Sequence, residues 1–197
     1  MPPERGEFRR IGERERLGLG FMSVVVGTFV GPDGFTFERD LIRHCGAVCV
    51  VPLDADGRVA AVRQYRGAID QNVLEIPAGK MDVPGETAET GARRELAEEV
   101  GLVASAFEPL ASFYNSPGFT DELTHCFLAE GLTEIGQSTQ GIEEQHMTIE
   151  RFPLDDIFEL VARGEIIDAK TIIACTIAKH RVDERTAGGD PAVAART

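Results

Sequence analysis

The stretch Gly79-Lys80-Met81-Asp82-Val83-Pro84-Gly85-Glu86, followed by Arg93-Arg94-Glu95-Leu96-Ala97-Glu98-Glu99-Val100-Gly101-Leu102, decides how this chain is read. Ala88, Ala92, Leu96 and Val100 recur at every fourth position, the spacing of a buried helical stripe. Gly101 stands where helices commonly end in the left-handed conformation. A helix over 87–100 projects Glu95, Glu98 and Glu99 from one side, because residues three and four apart are neighbours on its surface. Such a cluster repels itself unless a cation sits in it. Hard divalent ions prefer oxygen ligands, so Mg²⁺ is the natural occupant. Gly91 weakens the helix by about 1 kcal/mol relative to alanine, so packing must compensate. The pattern points to a metal-dependent site that acts on phosphates.

Upstream, residues 45–53 form a strongly apolar run, read as a buried strand. The sequence Asp54-Ala55-Asp56-Gly57 turns the chain into a second strand over 58–66, and 72–76 is a short third one. Nearer the N-terminus, strands over 21–30 and 35–43 flank the turn signal Gly31-Pro32-Asp33-Gly34, a hairpin rather separate from the remainder of the chain. Downstream, 107–114 and 123–130 read as strands, 132–145 as a polar, glycine-bearing loop, and 147–152 as a further strand. Helices are expected over 154–162 and 169–180. Residues 1–16 are expected to be a poorly ordered arm and 183–197 a disordered tail. The mixture of strands and helices without strict alternation implies an α/β or α+β fold with a mixed sheet.

The totals narrow the function. The 197 residues are 43% hydrophobic, enough for one domain with a sizeable core. The net charge of −13 argues against nucleic-acid binding, which needs a basic face, and favours solubility. It also requires any phosphate pocket to be made locally positive by metal and a few arginines. No apolar run approaches the ~20 residues of a membrane span, and the charged N-terminus lacks a signal peptide's apolar stretch. A cytoplasmic location is the expectation. Cys45, Cys49, Cys126 and Cys175 contain no Cys-x-x-Cys pair and are read as buried free thiols rather than as zinc ligands or disulfides.

The segment from Glu86 to Leu102 resembles the signature of Nudix hydrolases. That signature runs Gly, five residues, Glu, seven residues, Arg-Glu, an aliphatic residue, any residue, Glu-Glu, any residue, Gly, an aliphatic residue. Every fixed position from Glu86 onward is filled, whereas six residues, not five, separate Gly79 from Glu86. Leu74-Glu75-Ile76-Pro77-Ala78-Gly79 and the run Ser112-Phe113-Tyr114-Asn115-Ser116-Pro117-Gly118-Phe119-Thr120-Asp121-Glu122 are similar to the ADP-ribose pyrophosphatase and nucleotide-sugar hydrolase subfamily. Pro117, fifteen residues after Leu102, matches a marker of ADP-ribose preference. The resemblance implies a Nudix α/β/α sandwich with a mixed sheet over 44–182, plus a small N-terminal β-hairpin subdomain over 17–43. That subdomain is expected to serve dimerisation and substrate binding in a homodimer, since an isolated hairpin is marginal.

The resemblance also implies the site. Glu95 and Glu99, with Glu98 assisting and the carbonyl of Ala78, are expected to ligate Mg²⁺, or Mn²⁺ in its place, with two or more ions per site. Glu86 and Arg94 are expected as support, Arg94 orienting a carboxylate bidentately. The base that takes the proton from the attacking water is expected at Glu143 or Glu144, with His146 as a competitor. Arg63 and Arg66, three apart on a strand, point to opposite faces; the family pattern favours Arg66 for the diphosphate. Arg43, Glu75, Pro117 and Gly118 are further substrate-binding candidates. Phe21 or Phe35 could stack on a base or simply pack. The implied reaction is hydrolysis of ADP-ribose to AMP and ribose 5-phosphate. The alternatives are another nucleoside diphosphate sugar, such as GDP-mannose, and a non-catalytic nucleotide sensor.

Overall fold

The computed structural model describes residues 7–136 and 146–188. The chain divides into two compact units, Met1–Gly46 with Tyr114–Leu123, and Ala47–Phe113 with Thr124–Thr197.

The first unit is an antiparallel meander of β1 (Arg9–Gly18), β2 (Met22–Val30) and β3 (Thr36–His44), in that spatial order. Val25, Val26 and Gly27 of the central strand are buried. Gly34 takes φ 82° in the turn between β2 and β3, a conformation that only glycine adopts freely. The segment around Phe119 lies along β3, with the Ile42 N–H donating to the Phe119 carbonyl at 2.7 Å. The expected hairpin is thus a three-stranded sheet. Part of the expected disordered arm, Arg9–Arg16, is strand. All ten residues of β1 are exposed, so it carries no hydrophobic alternation to announce it. It is held by backbone pairing to β2 and by surface ion pairs such as Arg14–Glu38.

In the second unit the apolar run becomes β4 (Ala47–Pro52), every residue of which is buried. It pairs with β7 (Ala78–Lys80) on one side and, in parallel, with β9 (Leu123–Glu134) on the other, with β8 (Leu102–Tyr114) beyond β9. A second sheet has the order β10 (Thr148–Pro153), β5 (Arg58–Arg66), β6 (Gln71–Glu75). Among the described residues the α-helices are, in chain order, α1 (Ala88–Val100), the short α2 (Ile157–Ala162) and α3 (Ala169–Ala187).

Alternation along the strands explains the layers. Val48, Val50, Ala60 and Val62 pack with Ala92, Leu96 and Val100 of α1. Their neighbours Cys49, Val51, Val59 and Ala61 face the opposite way and pack with Ala174, Cys175 and Ala178 of α3. Successive residues of a strand point to opposite faces, so strands buried on both faces read as continuous apolar runs. The result is an α/β/α sandwich with a mixed sheet.

Further details differ from expectation: β8 begins earlier, at Leu102, and β9 runs on to Glu134, into the expected loop. Cys45 is exposed, while the other three thiols are buried, because the buried strand begins at Ala47. The last helix runs on to Ala187, into the expected tail, and Arg185 ties it down by pairing with Glu130 at 2.7 Å. Residues 154–162 form a 3₁₀ turn before α2 rather than one helix.

Candidate active site

Helix α1 is anchored at both ends. The Thr87 hydroxyl accepts from the Thr90 N–H at 3.2 Å, an N-cap that satisfies one of the orphan donors of the first turn. Gly101 adopts φ 65° and donates back to Ala97 and Leu96. The anchored helix delivers its acids to one place. The Glu99 carboxylate is buried and accepts from the Ala78 N–H at 3.1 Å. Arg94 lies among three others: its Nε and Nη2 pair with both oxygens of Glu86 at 3.1 Å each, and its Nη1 reaches Glu95 at 2.7 Å and Glu98 at 3.1 Å. The hydrogen bond to Glu86, opposed by burial and reinforced by the charge of Glu95, raises the guanidinium's basicity further.

Two glycines have reasons here. A Cβ on Gly79 would overlap the Glu95 carboxylate, and a Cβ on Gly91 would come within 3.0 Å of the Glu86 carboxylate. Gly91, unfavourable for the helix by itself, makes room for the Glu86–Arg94 pair. The six-residue spacing between Gly79 and Glu86 is absorbed by a turn, with the Glu86 N–H donating to the Val83 carbonyl at 3.2 Å. Gly79 stays paired with Val48, so the extra residue disturbs neither end.

Arg66 and Glu75 form a second element of the same unit. Arg66 Nε and Nη2 bind the two oxygens of Glu75, each at 2.7 Å. Glu75 is 1% exposed, so this pair is held out of water on its carboxylate side. The hydrogen bond to Glu75, opposed by burial and aided by the charges of Glu75 and Glu99, raises the Arg66 guanidinium above its ordinary range. Arg63 pairs instead with Glu150 at 2.6 Å, in keeping with opposite facing along β5.

Arg43, Pro117 and Gly118, with Phe21 and Phe35, belong to the first unit. Arg43 pairs with Glu13 and, at 2.9 Å, with Asp121. Asp121 also accepts from the His44 N–H at 2.9 Å. A cavity of about 340 Å³ is lined by Arg10, Phe29, Leu41, Arg43, Pro117 and Asp121, among others. Gly118 is exposed and has open space around it. Phe21 packs edge-on against His44 at 5.4 Å between centroids, and Phe35 is exposed. Glu143 and Glu144 lie outside the described residues; His146 is exposed.

Among the described residues, no three acidic, histidine or cysteine side chains form a ready-made ion cage; Arg94 is the cation between Glu86, Glu95 and Glu98. The donor chemistry nonetheless fits a hard dication. Glu95, Glu98 and Glu99 bring only oxygens, and Glu95 closes directly over Gly79, beside Ala78.

One group escaped the reading of the sequence. Lys170, in the first turn of α3, contacts Asp168 at 2.6 Å and Glu75 at 3.5 Å. A largely buried lysine at a helix N-terminus opposes the helix dipole, and a cation at that position was the signal.

The sequence pattern described as the NUDIX domain matches residues 43–175. The chain is 40% identical over 151 residues to an ADP-ribose pyrophosphatase of Mycobacterium tuberculosis, covering 77% of this chain and 72% of that protein. It is 38% identical over 143 residues to an ADP-ribose pyrophosphatase of Bacillus subtilis, covering 73% and 77% respectively. Its fold is similar to that in a crystal structure of an ADP compounds hydrolase, with a TM-score of 0.79 at 20% identity over 93% of this chain and 98% of the other. Hydrolases of this family generally use divalent metal ions. With the signature acids gathered on α1 and the match extending over most of its length, the chain belongs to the NUDIX family.

Proposed function

We propose that this enzyme hydrolyses the diphosphate of ADP-ribose, giving AMP and ribose 5-phosphate, with Mg²⁺ (or Mn²⁺) held by Glu95, Glu98, Glu99 and the Ala78 carbonyl. The observation that carries the reading is the network of Arg94, Glu95 and Glu98 on α1 with Glu86 just before it, together with Glu99 of the same helix bonded to the Ala78 N–H, in a chain similar to two ADP-ribose pyrophosphatases. Two or more dications would neutralise phosphate charge and lower the pKa of a bound water. The protein's own part is positional. Arg94 fixes the carboxylates, and a preset array of charges needs no reorganisation as the reaction proceeds. Arg66, fixed by Glu75, faces the diphosphate, and Arg43, Pro117 and Gly118 contribute to substrate binding. Glu143 or Glu144 takes the proton from the attacking water.

We further propose a cytoplasmic homodimer formed through the N-terminal sheet, where Ile11 and Leu17 of β1 and the flanking Phe8 and Phe35 are exposed. Among the described residues no helix is long and apolar enough to cross a membrane. Light scattering is expected to give about twice the 21.4 kDa chain mass.

A panel of nucleoside diphosphate compounds with Mg²⁺ tests the activity. ADP-ribose should be turned over fastest; equal or faster turnover of GDP-mannose would overturn the substrate assignment. Glu99→Gln keeps an acceptor for the Ala78 N–H, so it should fold yet lose turnover by on the order of a hundredfold or more. An unaffected Glu99→Gln enzyme would remove α1 from the chemistry.

A further inference from the structure

We propose that Lys170 is a positioning residue for substrate binding: it holds the buried Glu75 carboxylate in the one orientation that keeps Arg66 turned toward the phosphates. The inference rests on the diphosphate-hydrolase reading above and extends it to a residue outside the signature.

Lys170 occupies a costly position. It sits in the first turn of α3, where the helix dipole disfavours a cation, and its side chain is only 19% exposed. Burial alone lowers the ammonium's pKa, yet the charges of Asp168 and Glu75 outweigh it and raise the group above its ordinary range. Lys170 donates to Asp168 Oδ1 at 2.6 Å, and the other Asp168 oxygen caps α3 by accepting from the Thr171 N–H at 2.8 Å. The Thr171 hydroxyl donates to that same oxygen and accepts from the Ile76 N–H at 3.0 Å. The start of α3 is thereby fastened to the end of β6, next to Glu75.

Glu75 Oε2 is the meeting point. It receives Arg66 Nη2 at 2.7 Å and lies 3.5 Å from Lys170 Nζ. Arg66, Glu75, Lys170 and Asp168 make a quartet of two positive and two negative charges. A quartet of this kind, buried at Glu75, Asp168 and Lys170 and open at Arg66, is not needed for stability, since apolar residues of similar volume often serve as well or better in place of buried charges. What it does supply is geometry. The side-on pairing uses Nε and Nη2 of Arg66, which, among the described residues, leaves the Nη1 edge to meet an anion. Without Lys170, Glu75 loses its second cation and can swing, and Arg66 swings with it. The ligand chemistry is that of a diphosphate oxygen, which a guanidinium recognises through its planar fork.

The test is a double-mutant cycle on full-length protein, measuring KM and kcat for ADP-ribose with Mg²⁺. Lys170→Met should raise KM about 10- to 100-fold, the range for losing a supporting partner, while kcat changes by less than about threefold. Lys170→Arg should restore most of the loss. In an Arg66→Gln background, Lys170→Met should add almost nothing, because its effect runs through Arg66. A purely structural lysine would instead impair both parameters additively in either background, and that result, or an unchanged KM, overturns the proposal. Should Lys170→Met fail to fold, Lys170→Gln takes its place with the same expectations. A wild type inactive toward every nucleoside diphosphate compound overturns the functional reading itself, whereas unchanged variants of an active wild type overturn the role of Lys170 alone.

Discussion

Replacing Arg94 by methionine removes the cation shared by Glu86, Glu95 and Glu98 while keeping much of the side-chain volume. The substitution deletes four N–H···O hydrogen bonds, at 3.1, 2.7, 3.1 and 3.1 Å. Arg94 is 28% exposed, and its partners Glu86, Glu95 and Glu98 are 10%, 12% and 22% exposed. The network therefore lies between two regimes: an exposed pair is worth about 0–1 kcal/mol, and breaking a buried one costs about 3–5 kcal/mol. Three carboxylates are left facing one another without their counter-charge, so the upper half of that span applies. The expected loss is about 3 kcal/mol, equivalent to a fall in Tm of about 6–12 °C for a chain of this size. The chain has no tryptophan, so metal-free urea unfolding is best followed by far-ultraviolet circular dichroism. Glu86→Gln alone and the double variant complete a cycle, in which the coupling between the two sites should exceed about 1 kcal/mol. A loss below about 0.5 kcal/mol, or strict additivity with Glu86→Gln, would refute the view that Arg94 organises these acids.

Gly79→Ala places a methyl group where the Glu95 carboxylate lies; turnover should fall at least about tenfold while the circular dichroism spectrum is unchanged, and a fully active variant would show that Glu95 is free to move aside. Burial by itself would raise the pKa of the Asp168 carboxyl, but the charge and hydrogen bond of Lys170 and the hydrogen bonds of Thr171 lower it below its ordinary value. The unfolded state then binds the proton first, so this contribution is present in full above about pH 5 and fades as pH falls through the lowered native value. Urea titrations should show the stability gap between wild type and Asp168→Asn steady from about pH 7 to 5 and narrowing toward about pH 3; a gap that widens in acid would contradict the assignment.

The sandwich was legible wherever burial writes itself into the sequence. The unbroken apolar run became β4 because both its faces are covered, and Ala92, Leu96 and Val100 of the α1 stripe are buried, with Ala88 partly so, because one side of that helix meets the sheet. Strand β1 was not legible. All its residues are exposed, and its existence depends on the β2 edge beside it rather than on its own pattern. Glu95, Glu98, Glu99 and Arg94 could be placed on one helix from their spacing, since the helix period converts spacing into direction. Lys170 could not be connected to Glu75 in that way, because they are far apart along the chain and only the fastening of α3 to the end of β6 brings them together. Alternation did separate Arg63 from Arg66, but their partners, Glu150 and Glu75, depend on which strands flank β5.

The turn at 83–86 has a consequence for how such chains are recognised. On its near side Gly79 is locked by β-pairing to Val48; on its far side Glu86 is clamped by Arg94 and Thr87 caps the helix. Between these two footings the backbone is an arch with a left-handed glycine, Gly85, near its end, and nothing in the footings fixes the arch's span. Insertions and deletions there should be nearly neutral, and a search that demands a rigid gap between the glycine and the first glutamate will pass over working members of the family.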